Sequence, residues 1–222
     1  MSGRVHGSAA RQRLAGLIQS MADSKYLLGR KLAELGPGAP TLEAATAACA
    51  LAQSELGHAR LLYRLAAELR GEAAGSWRED GPEPQVESAF PFIAEVGTHW
   101  VEFICALYAS NAAISVLLDE VLTAAPDLSR SLAKLRPEQK DQILYAEGWL
   151  QTLAQERGRI PAGVVASLAA MVPVAEQWLA AAEADGLLRR EGLLPAAGAN
   201  LAQTFRRRAE ALAAAAGLAL PV

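Results

Sequence analysis

At 222 residues and 23.4 kDa, the chain suits one domain, or one domain with an appendage. Its residues are 52% hydrophobic but only 5% aromatic, and alanine and leucine dominate; with β-branched and aromatic residues so scarce, an all-α fold is expected. A net charge of −3 and a pI near 5.7 give no general attraction to nucleic acid or anionic membrane, and neither is expected as a partner.

Residues 1–8 carry no periodic pattern and are expected to be disordered. They also lack the apolar stretch of a signal peptide. A first helix is expected from about 9 to 35, ending at the breakers Gly36-Pro37-Gly38-Ala39-Pro40. Thr41 is a good N-cap for a second helix from about 42 to 70. Residues 71–92 mix Gly, Pro and charge without a sustained period, as a long crossover between two helical hairpins does. A third helix should cover about 93–124 and a fourth should run to about 157, with Pro137 a kink or a restart. Two more helices are expected at about 162–185 and 197–216. Two hairpins joined by a long connection describe a ferritin-like four-helix bundle over 9–157, with 158–222 as additional C-terminal helices packed on it.

Cys49 and Cys105 sit in apolar helical stretches without metal-type spacing, so reduced core thiols in a cytoplasmic protein are expected. No run approaches the roughly 20 uninterrupted apolar residues of a membrane span. The basic run Arg206-Arg207-Arg208 lies in an alanine-rich helix and reads as a solvated face.

Chemistry enters with Glu55-Leu56-Gly57-His58. Glu-x-x-His presents two metal ligands from one helix face, and here both fall on the apolar stripe Ala48, Leu51, Glu55, His58, Leu62, Leu65, Leu69. A carboxylate and an imidazole placed in a core cost several kcal/mol unless paired or ligated. The first helix has a matching stripe, Leu14, Ile18, Met21, Lys25, Leu28, Leu32, Leu35, with Lys25 its one charged member. Across the hairpin Lys25 and Glu55 are level within roughly one turn, about 5.4 Å, so Lys25 is expected to meet Glu55 in the core. The fourth helix offers the stripe Lys140, Ile143, Glu147, Leu150, Ala154, which points Glu147 inward as another member of the network. If that helix is continuous from about 127, Glu147 is level with Glu102; if it restarts at Pro137, the level partners are Ser110 or Ile114 and Glu102 is stranded.

"ADSKYLLGRKLAEL", leading through a Gly/Pro turn to "ALAQSELGHARLL", resembles the phenylacetic acid catabolic family, the ferritin-like subunits of phenylacetyl-CoA epoxidase. "EADGLLRREGLLP" and the ending "AAAAGLALP" look like the tail of that enzyme's non-catalytic, structural subunit. The resemblance is weaker over roughly 72–160. It implies that a catalytic relative holds two irons with a glutamate from helix one, Glu-x-x-His on helix two, a glutamate on helix three and Glu-x-x-His on helix four. By position, Glu55 and His58 match the helix-two pair, Lys25 stands at the helix-one glutamate, and Glu102 lies within about one residue of the helix-three position. The helix-four histidine has no counterpart, since the histidines are His6, His58 and His99. The expectation is a subunit without catalytic residues or cofactor, built around a buried network of Lys25, Glu55, His58 and Glu147. It would pair with a catalytic oxygenase subunit or with itself. The alternative is an oxygenase in its own right, binding iron through Glu55, His58, Glu102 and Glu147.

Overall fold

The computed structural model describes residues 7–72, 86–97, 99–129, 132–194 and 200–220. Among them every regular element is helical: α1 (Ser8–Leu35), α2 (Leu42–Arg70), α3 (Phe92–Glu95), α4 (Trp100–Ala124), α5 (Leu135–Ala154), α6 (Ile160–Glu183), α7 (Gly186–Arg190) and α8 (Leu201–Ala215). The expected disorder of residues 1–8 falls mostly outside the described residues; Ser8 already opens α1.

The first hairpin forms as its sequence dictates. Gly36-Pro37-Gly38 makes one tight turn, and the Thr41 side chain accepts a hydrogen bond from the Ala44 amide to start α2. Gly71 ends α2 in the left-handed conformation, at φ 74°. The two helices approach closely: a Cβ at Gly29 would stand 2.8 Å from Leu56 Cγ and 3.2 Å from the Ala52 carbonyl. The incoming crossover is held by the residues just before Lys25. Asp23 accepts hydrogen bonds from the Tyr63 hydroxyl (2.6 Å) and the Glu87 amide (3.2 Å), and Ser24 Oγ accepts from the Ala89 amide at 3.1 Å.

α4 is the central helix, buried along almost its whole length from Phe103 to Leu122 and packed by α5, α6 and α8. α4 and α6 are both long and apolar enough to cross a membrane by composition, which reading for uninterrupted apolar runs had not brought out. The most apolar window of α4 is 89% buried, as befits a core helix, whereas that of α6 is 33% buried. The expected third helix is divided: α3 ends at Glu95 and α4 starts at Trp100. A short α7, not anticipated, is capped by Asp185, which accepts from the Leu187 and Leu188 amides and meets Arg13 of α1 at 2.6 Å. Cys105 is buried, but Cys49 is exposed on α2, a correction to the pairing of both as core residues.

Candidate functional site

α5 begins at Leu135, with Pro137 in its first turn, where a missing amide hydrogen leaves no helical bond unmade. This start fixes the level at which α5 meets α4. Counting from Leu135, the buried stripe of α5 is Gln139, Gln142, Ala146, Leu150 and Leu153. The expected stripe through Lys140, Ile143 and Glu147 is therefore displaced by one position. On α4, Asn111 meets Gln139, while Glu147, whose expected level partners for a restart at Pro137 were Ser110 or Ile114, lies near Tyr108.

Four helices deliver polar side chains to one buried point. Lys25, Glu55, His58, Asn111, Gln139 and Gln142 are each at most 1% exposed. Lys25 Nζ lies 2.9 Å from Glu55 Oε2, donates to Asn111 Oδ1 at 2.5 Å and donates to Gln142 Oε1 at 3.0 Å. Three acceptors surround the nitrogen, and a neutral amine has two N–H bonds, so the geometry calls for the ammonium. Burial holds the Lys25 pKa below its ordinary value, and Glu55 opposes that shift. Asn111 Nδ2 in turn donates to Glu55 Oε1 at 2.8 Å, and Gln139 Nε2 donates to Asn111 Oδ1 and to its backbone carbonyl at 2.9 and 2.8 Å. Gln139 Oε1 is left without a hydrogen-bond partner among the described residues.

His58 sits at the edge of this cluster. Its Nε2 is 2.8 Å from Glu138 Oε2, and its Nδ1 is 3.4 Å from Gln142 Nε2, which also donates to Ser54 Oγ at 3.0 Å. An amide nitrogen can only donate, so Nδ1 accepts and Nε2 carries the hydrogen given to Glu138. The imidazole is neutral: burial lowers its pKa first, the Lys25 charge lowers it further, and Glu55 and Glu138 pull the other way.

Lys25, Glu55 and His58 thus come together as the stripes require. Glu147 does not join them. It is half-buried on the adjoining flank of α5, near Tyr108 and Arg208, and burial raises its pKa against the Arg208 charge. Glu102 is in the first turn of α4, nine residues or about 13 Å of helix before Asn111, beside Phe92, Val96 and Met171. The inward placement of Glu147 rests on the stripe through Lys140 and Ile143, which is displaced by one position, and that of Glu102 on a fourth helix continuous from about 127, whereas α5 starts at Leu135. The residues that reading missed are Asn111, Gln139, Gln142 and Glu138. One signal was present: Gln139-x-x-Gln142 has the spacing of the expected Glu-x-x-His, with both ligand types replaced by amides.

An all-helical bundle with a polar centre where α1, α2, α4 and α5 converge defines the ferritin-like class. A family model described as phenylacetic acid catabolic protein matches residues 3–222, nearly the whole chain, and the chain belongs to that family. It is thereby placed with the oxygenase complexes of phenylacetate catabolism, whose members act in multisubunit assemblies. No curated protein matches it significantly.

The family's oxygenase chemistry implies a pair of irons, which the donor set at this centre does not fit. Such a site uses about four carboxylates and two imidazoles. Here one carboxylate and one imidazole are joined by an ammonium and three amides, and the Lys25 nitrogen stands at the point where the side chains converge. No group of three or more His, Cys, Asp or Glu poised for a metal occurs among the described residues.

Proposed function

We propose that this protein is the non-catalytic, structural ferritin-like subunit of a cytoplasmic oxygenase complex acting on an aromatic CoA thioester, pairing with a catalytic ferritin-like chain. The observation that supports this reading best is the Lys25 ammonium, held by Glu55, Asn111 and Gln142 at the meeting point of four helices. An ammonium supplies the positive charge that keeps Glu55 buried, and it needs no redox chemistry to do so. Three amides supply directed dipoles without adding charge that would demand a cation. The fold is then retained for its surfaces, with reactivity left to the partner.

Metal analysis of protein expressed with ample iron tests the reading. Wild type is expected to carry iron far below one equivalent. Combining Lys25→Glu, Asn111→Glu, Gln139→Glu and Gln142→His recreates one glutamate on each of two helices and Glu-x-x-His on the other two, and should raise metal content. Near-stoichiometric iron in wild type, lost on Glu55→Gln or His58→Gln, would overturn the proposal.

A further inference from the structure

A second polar constellation lies on the flank of α5 that carries Glu147. α4, α5 and α8 enclose a cleft of about 410 Å³, within the size range of small-molecule sites. Its charged lining is unequal. Asp119 is neutralised by Arg136 at 2.6 Å. Lys140 and Arg208 form no ion pair within 4 Å among the described residues, and Arg208 meets Glu147 only as a longer-range charge. Two cations therefore face one carboxylate, a local excess of one positive charge.

Two further features mark the same place. Tyr108 is 1% exposed and lines the cleft, yet its hydroxyl has no hydrogen-bond partner among the described residues. A buried donor left unmade calls for an explanation, and an acceptor brought by a ligand is one. Leu144, on the rim, is 63% exposed, one of two large apolar side chains left so open among the described residues. Ala112 and Ile143 extend its apolar surface into the cleft.

We propose that this cleft binds a small organic monoanion, a carboxylate on an apolar body. The carboxylate would lie between Lys140 and Arg208 and accept from Tyr108 once bound, with its body along Ala112, Ile143 and Leu144. One negative charge balances the local excess. A phosphate dianion would overshoot it beside Glu147 and leave the apolar wall unused, and a cation would face two like charges. Glu147 is the single repulsive group, so it weakens the binding that its neighbours provide.

Titration calorimetry of the full chain with octanoate tests this, with octanol and inorganic phosphate as comparison probes. Octanoate should bind at about millimolar or better, and octanol and phosphate much more weakly. Arg208→Gln and Lys140→Gln, both exposed positions, should each weaken octanoate about tenfold, and Tyr108→Phe by about fivefold to tenfold. Glu147→Gln should tighten it severalfold, a gain that damage to the fold would not give. Unchanged melting temperatures confirm that the variants are folded. No octanoate binding, equal binding of phosphate, or binding indifferent to Arg208→Gln and Lys140→Gln would overturn the proposal.

Discussion

The two hairpins contribute differently to the buried centre. α1 and α2 bring the buried ion pair, Lys25 and Glu55, to which α4 and α5 add amides, Asn111, Gln139 and Gln142, while Glu138 of α5 reaches only His58 at the edge. The ion pair is completed within the first hairpin, whose helices are also the most closely packed. The second hairpin then docks dipoles onto a pair that is already neutral. Removing a charge and removing an amide should therefore fail in different ways: one strands an ion, the other a hydrogen bond.

Lys25→Met is the sharpest break and the largest expected effect. It leaves Glu55 buried with only Asn111 as a partner, a type of loss that costs about 3–5 kcal/mol. Denaturant titration should show a large drop in midpoint, with the slope unchanged if unfolding stays two-state. Adding Glu55→Leu to the same chain should recover most of that loss, since a buried ion pair and well-packed apolar groups of similar volume are often equivalent. A double variant as unstable as the single one would show that the amides of α4 and α5, not the charges, carry the penalty.

Asn111→Leu comes next. It removes an acceptor of Lys25 and Gln139 and a donor to Glu55, but leaves the ion pair in place. About 2–3 kcal/mol is expected from two or more buried groups left unmatched. A loss as large as that of Lys25→Met would erase the distinction between the hairpins.

The same division decided what could be seen in the sequence. α1 and α2 were legible to within a residue or so because their stripes are unbroken, their turn is rich in breakers and Thr41 marks a start. The Lys25–Glu55 meeting followed from counting residues to one turn. α5 was not legible to that precision. Its inward face carries glutamines, which pattern reading takes for wet positions, while Ile143 and the charged Glu147 mimic an apolar stripe with a ligand. A shift of one residue on a helix turns a side chain by about 100°, enough to move Glu147 out of the centre and Gln142 in. Asn111 was hidden for a related reason: α4 is apolar on nearly every face, so no periodicity singles out one position.

Gly29→Ala probes the hairpin's packing without touching its charges. The new Cβ meets Leu56 Cγ at 2.8 Å and the Ala52 carbonyl at 3.2 Å, so Leu56 must change rotamer and α1 must shift slightly. A gain in helix propensity of up to about 1 kcal/mol opposes a packing cost of about 1–3 kcal/mol, for a net loss near 1 kcal/mol. A net stabilisation would mean that the approach of α1 and α2 is looser than these contacts imply.

The smallest effect depends on pH and is confined to His58. Its pKa in the folded protein lies below the ordinary value near 6.5, through burial and the Lys25 charge. Above that value both folded and unfolded chains hold the ring neutral, and its contribution to stability is fully present. As pH falls through about 6.5, the unfolded chain takes up a proton that the folded one does not, so stability declines until the folded pKa is reached. Gln at position 58 can still donate to Glu138 but does not titrate. His58→Gln should therefore show a shallower loss of denaturation midpoint between about pH 6.5 and 5 than wild type, with the remaining slope set by carboxylates. Identical slopes would mean that the ring is protonated in the folded state. Gln142 would then have to turn its amide to offer oxygen to Nδ1, and Lys25 would lose one of its three acceptors to a second positive charge.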